Sequence, residues 1–551
     1  MTQHKRRASA QQVIRKRAVV AAAFVGTVAL GAGVGVWASS GGGGGASHGG
    51  ARQSSSGRVA ETAGAATRPA SPTPGKSYPL SRAPRTIPAV RSHTAARGPG
   101  WQPQKADRVV VSDGELADEG KLIAGELGLA YAGQKDDVRA GDVRLALGGG
   151  GGNPESYTMT VRDGRVDISG PGEAGVFYGT RTLKQEVHGG GTAPEGVVRD
   201  GPAKPVRGFM LDIARKPFSE AWIEDRIREL GDLKFNEMGL HFSDDQAFRI
   251  ESSSHPEIVS TDHLSKAQVK RIVDLANSRH ITVVPELDSP GHLGAVLAAH
   301  PDLQLRNASG VATKGAIDIS KPGSAKIIDD LLNEYAGLFT GSQWHLGGDE
   351  YQALTVKDPQ ASFPQLAAAA RQKYGAGGTV SDLATGWLGD RAGTVRAHGR
   401  TMRAWNDGFY RGTSVQPARD LQVAYWTGKE IGARQPVEYL STGRKMLNYN
   451  DEFLYYVLGQ PQTFVYPTGQ RIYEQWNPRV LRGTSAVPAS YDGQILGGSF
   501  AVWCDFPNAQ TEAQVAAGIR LPLRATVQKL WDPDKPALSW PDFQRLSAKL
   551  G

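Results

Sequence analysis

From Pro205 onward, eight short β-like runs alternate with amphipathic stretches, and a repeat of that kind is compatible with few folds. The runs cover residues 208–213, 237–242, 281–286, 344–346, 402–405, 422–426, 445–449 and 498–503. Between the early ones, residues 220–233, 265–280 and 324–339 carry apolar side chains at helical spacing. Eight β/α repeats over roughly 320 residues predict a (β/α)8 barrel, an α/β fold. A doubly wound sheet is the alternative.

The ends of the runs share a feature. Asp212 and Arg215 follow the first, Asp244-Asp245 the second, and Glu286, Asp288 and His292 the third. Gly347-Gly348-Asp349-Glu350 follows the fourth, and Trp405-Asn406-Asp407 closes the fifth. Trp426 ends the sixth, residues 449–455 follow the seventh, and Trp503 and Asp505 end the eighth. In a barrel these ends meet on one face, where catalytic groups collect. A lone Asp-Glu pair reads most simply as a helix cap. Here two glycines free the backbone at a strand end, so Asp349 and Glu350 can reach one cleft. Two carboxyls so close are driven toward different protonation states, which suits one to acid work and the other to holding charge.

The surrounding inventory points to a sugar. Trp405, Trp426, Tyr455 and Trp503 offer ring faces, while several carboxylates and Arg215 offer partners to hydroxyls. A metal site competes, since His241, Asp244, His292, His345 and Asp349 include ligand types. No two histidines have His-x-x-x-His spacing, so no metal and no cofactor are expected. Residues 148–152 are glycine, but no Lys-Ser/Thr follows them, which argues against a Walker-type phosphate loop.

The rest of the chain divides by composition. Basic residues 5–7 and 15–17 precede an uncharged run over residues 18–39, read as an export signal or an N-terminal membrane anchor (residues 1–40). Either outcome places the remainder outside the cytoplasm, secreted or tethered at the surface. Residues 41–100, rich in Gly, Ser, Pro and Arg, read as a flexible linker. Residues 101–204 read as a small α+β domain, and residues 205–551 as the barrel with a C-terminal helical segment. The whole chain has a net charge of +8, but the first hundred residues hold +13, which leaves −5 on the body. A mildly acidic body argues against a nucleic-acid partner. The single cysteine, Cys504, rules out an intramolecular disulfide.

With these motifs assembled, residues 101–530 resemble the β-N-acetylhexosaminidases of glycoside hydrolase family 20. The resemblance rests on Arg207-Gly208 through Arg215, on residues 240–245, on Pro285-Glu286 through His292, and on His345-Leu346-Gly347-Gly348-Asp349-Glu350. It implies an exo-acting, retaining enzyme that removes terminal N-acetylhexosamine from glycans, with the substrate's acetamido oxygen as nucleophile. It implies Glu350 as the general acid and base, and an ionised Asp349 that orients the acetamido group. Asp244 and His292 would support the acid, and Arg215 would bind O3 and O4. Trp405, Trp426 and Trp503 would wall the pocket, and Tyr455 rather than Tyr449 would bond the acetamido carbonyl. Asp505 would meet a hydroxyl.

The chain departs from the family pattern in two places. Lys216 stands where His often follows the arginine, and Asp505 where many members have Glu. Residues 448–455 look more like the dispersin and lacto-N-biosidase branches. A disaccharide-releasing enzyme, a non-catalytic glycan-binding protein and an ordinary two-carboxylate glycosidase are the alternative functions.

Overall fold

The computed structural model describes residues 76–149, 152–429 and 433–551. The expected signal or anchor, and the expected linker as far as residue 75, lie outside the described residues.

The first part is a seven-stranded mixed sheet. Its strands run in the spatial order His93–Ala95, Gly196–Asp200, Tyr157–Arg162, Arg165–Gly170, Val143–Leu147, Arg108–Val111 and Ala130–Gln134. Tyr157–Arg162 alternates buried side chains with half-buried or exposed ones, as a strand with one face on the core must. It turns into Arg165–Gly170 through Asp163 (φ 54°) and Gly164 (φ 69°), a two-residue turn whose positive φ values match strand twist. Helices Ala117–Leu127 and Glu173–Gly190 pack against the sheet and each other. Val109, Val111, Leu145, Met159, Ile168 and Phe177 make the core between them.

One boundary differs from the expectation. The sequence pattern runs the linker through residue 100, yet His93–Ala95 forms an edge strand, with His93 opposite Val198. Ile87 is fully buried, and its N–H donates to Gln185 Oε1 at 2.8 Å. Backbone pairing and one buried side chain order this segment, and neither produces hydrophobic periodicity.

The second part is a closed parallel barrel, which overturns the doubly wound alternative. Its strands are Val206–Asp212, Glu237–His241, Thr282–Glu286, Gln343–His345, Thr401–Trp405, Gln422–Tyr425, Met446–Asn448 and Ile495–Trp503. Each pairs with the next, and the eighth closes on both the first and the seventh. The first strand is buried at every position, as a strand covered on both faces should be. Tyr455–Val457 adds a ninth parallel segment beside the far half of the eighth strand, with Tyr455 opposite Ala501. The seventh run is thus split: a turn over residues 449–454 carries the chain outward, toward the face where the strand ends collect. Among the outer helices, Lys266–Asn277 begins with a Ser265–Gln268 capping box that satisfies its first free N–H groups.

Candidate active site

The fourth strand stops at His345, and the next residues turn sharply. Gly347 and Gly348 take φ values of 65° and 97°. A Cβ on Gly347 would lie 1.7 Å from Asp288 Oδ1, so only glycine fits. Two carboxylates pin the turn. The Gly348 N–H donates to Asp288 Oδ1 at 2.8 Å, and the Glu350 N–H donates to Asp407 Oδ2 at 2.8 Å. Glu350 itself sits at φ 45°, a conformation rare outside glycine and common at functional sites.

His292, from the third strand's loop, joins the acids. Its Nε2 lies 3.4 Å from Glu350 Oε2 and 3.5 Å from Asp349 Oδ2, and its Nδ1 lies 3.3 Å from Asp244 Oδ1. Asp244 Oδ2 in turn lies 2.7 Å from the Arg215 guanidinium and 2.9 Å from His241 Nε2. Arg215 also pairs with Asp212 at 3.0 Å, and the Cys504 N–H donates to the same Asp212 oxygen. His241 Nδ1 reaches Glu286 at 3.1 Å, whose other oxygen accepts the Trp405 indole N–H at 2.6 Å. Groups from the first, second, third, fourth, fifth and eighth strand ends therefore form one connected lattice beneath the cleft.

Above it lies a cavity of about 240 Å³ lined by Arg215, His292, Asp349, Glu350, Trp426, Tyr455, Trp503 and Asp505 among others. Trp426 and Tyr455 stand parallel, with ring centroids 5.8 Å apart and planes 4° apart, and Trp503 tilts beside Tyr455. The Trp426 indole N–H donates to Asp407 Oδ1, which fixes the ring. Eight of the ten expected site residues thus line one cavity. Asp244 lies beneath it, as a supporting group should.

Trp405 differs from its expectation as a wall. It is 1 % exposed and lies under the floor, packed on His345 and Tyr449 at 4.4 and 4.8 Å. Its strand position points it into the barrel interior, and Glu286 anchors it there. Tyr449 is buried with it, whereas Tyr455 lines the cavity. Lys216 turns away from the cavity and donates to the Pro507 carbonyl. Thr427, Lys429, Asp451 and residues 462–464 also line the cleft without having been singled out. They sit in loops with no periodic pattern, so proximity alone reveals them.

Protonation follows from crowding. Burial disfavours the Asp349 carboxylate, and neighbouring Asp288 pushes the same way, so its pKa rises well above the usual range. Asp288 rises to about 7, chiefly through burial. Asp407 rises to about 6 for the same reason. His292 is raised: burial opposes its charge, but Asp349 and Asp244 outweigh burial. Glu350 is lowered, first by its hydrogen bond with His292. The resemblance implies an ionised Asp349 beside a protonated Glu350; with the cleft open to solvent the shifts run the other way, Asp349 up and Glu350 down. Asp288, eclipsed in the sequence by the Asp-Glu pair, is one cause. The half-exposed position of Glu350 is another, because solvent spares it the burial that acts on Asp349 (48 % and 15 % side-chain exposure).

Paired acids at a barrel's strand ends, under a wall of aromatic rings, are the architecture of a carbohydrate-processing site. The family description "Glycosyl hydrolase family 20, catalytic domain" matches residues 205–532, and that family's domain 2 matches residues 83–201. The chain belongs to glycoside hydrolase family 20. It is 29 % identical over 484 residues to a lacto-N-biosidase of Bifidobacterium bifidum, a span of 85 % of this chain and 42 % of that one. A β-N-acetylhexosaminidase of Cellulomonas fimi is 31 % identical over 270 residues, 44 % of this chain and 54 % of that one. The chain therefore spans about half or less of these relatives' lengths. A β-N-acetylhexosaminidase from Streptomyces coelicolor has the same fold, with a TM-score of 0.67 over 86 % of this chain and 96 % of that one at 24 % identity.

Proposed function

We propose that the chain is a retaining exo-β-N-acetylhexosaminidase working by substrate assistance on terminal β-linked N-acetylhexosamine of glycans. The observation that carries this is the convergence of Asp349, Glu350 and His292 on one aromatic-walled cavity with Tyr455. Asp349 and Glu350 are neighbours on one turn, whereas an enzyme nucleophile would face the acid across the sugar ring. Of the other cavity carboxylates, Asp451 pairs with Lys429 at 2.6 Å, and burial raises the pKa of Asp505, which disfavours the ionised form a nucleophile needs. The attacking atom is therefore assigned to the substrate's acetamido oxygen.

In the first step that oxygen bonds to the anomeric carbon, the glycosidic bond breaks, and Glu350 gives its proton to the leaving oxygen. A sugar seated over Glu350 removes water from it, which raises its pKa toward the acid role. Asp349, ionised when the proton it shares with Asp288 rests on Asp288, accepts the acetamido N–H and balances charge on the oxazolinium, and the Tyr455 hydroxyl donates to the acetamido oxygen. In the second step water attacks the anomeric carbon, the bond from that carbon to the acetamido oxygen breaks, Glu350 takes the water's proton, and two inversions give retention. Export or surface tethering through residues 18–39 completes the proposal, on the strength of the basic residues before that uncharged run.

The test is hydrolysis of an aryl β-N-acetylglucosaminide beside the aryl β-glucoside, with a thiazoline mimic of the oxazoline as inhibitor. Turnover of the acetamido sugar alone, blocked by the thiazoline, supports the mechanism. Turnover of the plain glucoside refutes it. A second reading, release of a disaccharide, is favoured by the likeness of 484 residues of this chain to a lacto-N-biosidase. Aryl lacto-N-bioside cleaved in preference to the monosaccharide would select it.

A further inference from the structure

Outside the cleft, the loop after the second barrel strand meets the loop after the third through three donor atoms. His255 Nδ1 lies 3.0 Å from Glu257 Oε1, and His300 Nε2 lies 2.9 Å from the same oxygen. One donor atom from each residue falls within 4.8 Å of the others. The remaining nitrogen of His255 faces a different carboxylate, Asp330 Oδ2, at 3.1 Å. A neutral imidazole has one proton, yet His255 faces a carboxylate oxygen from both nitrogens. Hydrogen bonds alone satisfy that arrangement only if the ring is a cation.

We propose that His255, Glu257 and His300 bind a divalent transition-metal cation, with zinc the best match to two imidazoles and a carboxylate. With the cation in place, His255 Nδ1, Glu257 Oε1 and His300 Nε2 all direct lone pairs at it. His255 Nε2–H then donates to Asp330, the outer-shell contact that orients a metal-binding histidine. Lys326, at 2.5 Å, holds the same Asp330 oxygen. The side chains of His255, Glu257 and His300 are partly exposed, so the ion can enter from solvent and water can complete its coordination.

The position gives the ion a task. Helix Pro322–Ala336, which carries Asp330, also carries Glu334, whose carboxylate accepts from the backbone N–H groups of Ser253 and Ser254. The second loop is thus anchored to that helix already. The cation ties it to His300, at the end of the short helix Gly294–Ala299. Asp244 opens the first of these loops, and His292 precedes that helix in the other, so the tie braces the two segments that bring Asp244 to His292. The metal site itself does not depend on the glycosidase reading.

The test is calorimetric titration of the chelator-treated full chain with zinc chloride, beside His255→Gln, His300→Gln and Asp330→Asn. Each histidine variant should lose one bound equivalent relative to the unaltered protein. Asp330→Asn should weaken that equivalent about 10–100-fold. The thermal midpoint of the unaltered protein should climb with zinc concentration more than that of the histidine variants. Cobalt(II) added to the unaltered protein should produce visible ligand-field absorption that Gln at 255 or 300 removes. Equal zinc stoichiometry and affinity in the unaltered protein and both histidine variants, or no zinc bound at all, would overturn the proposal and leave His255 as an imidazolium between two carboxylates.

Discussion

Glu350 has the left-handed backbone that costs an L residue about 1–2 kcal/mol, and the contacts around it hold that conformation. Its side chain thereby projects beside Asp349 instead of opposite it. Glu350→Gln should lower kcat/KM about 10²–10⁴-fold on a natural glycan, whose leaving oxygen needs the proton. The loss should be smaller on an aryl glycoside whose leaving group is already acidic. Equal losses on both would remove Glu350 from the acid role. The adjacency of the two acids is plain in the sequence, but the group that sets their protonation is not. Asp288 reaches the turn from another strand end, through the space a Gly347 Cβ would fill. Asp288→Asn removes the charge that most opposes ionisation of Asp349, leaving Asp407 as the lesser one, so the acidic limb of kcat/KM against pH should move to lower pH. A limb that stays in place would show that the pair does not share its proton.

At the scale of elements, the strand runs were legible because a buried parallel strand is a short apolar stretch followed by an abrupt change to polar residues. Sequence pattern places the fifth run at residues 402–405, and the strand is Thr401–Trp405. The seventh run was only half legible. It is two short pieces, Met446–Asn448 and Tyr455–Val457, paired with successive stretches of the same neighbour. Cleft loops such as residues 462–464 carry no repeat, so their approach to Tyr455 follows from the closed barrel alone. The edge strand His93–Ala95 was invisible for a related reason, since its contribution is backbone pairing. Its removal should be felt. A chain beginning at residue 101 loses that strand, the buried Ile87 and the bond from the Ala89 N–H to Gln528. Burying one isoleucine contributes about 1.5–3 kcal/mol. The shorter chain should therefore melt several degrees below one beginning at residue 76, as scanning calorimetry would read. Coincident melting curves would show that residues 76–100 contribute nothing to the fold.

The two halves of the described molecule meet across charged groups, and this gives the whole protein a pH dependence with a definite sign. Arg207, from the first barrel strand, is fully buried against Glu155 of the sheet domain at 2.6 Å and against Tyr178 and Trp531. Burial works against the Glu155 carboxylate, but Arg207 outweighs it and holds its pKa low. Asp232 is held low in the same way by Arg181 and Lys184. A carboxyl lowered on folding stabilises above its unfolded pKa and loses that contribution as the pH falls through its folded value. The cleft works in the opposite sense. His241 is raised to about 10: burial opposes its charge, but Glu286 and Asp244 prevail, and His292 is raised as well. A histidine raised on folding stabilises fully below its unfolded pKa of about 6.5 and loses that contribution as the pH climbs toward its folded value. Asp288, at about 7, adds to the decline until it has ionised. His345, lowered to about 4 by burial, opposes the decline, but only until the unfolded-state histidine has shed its remaining protons above about pH 6.5. Lys234, lowered to about 8 by burial, opposes the decline only above that value. Between about pH 6.5 and 8 His241, His292 and Asp288 act in one direction and outweigh the single opposing His345. The free energy of unfolding in urea should fall across that window, and Glu155→Gln should lower it at both ends alike while leaving the slope unchanged. A protein more stable at pH 8 than at 6.5 would mean that His241 and His292 are neutral, and that the lattice beneath the cleft is held by hydrogen bonds without the two cations.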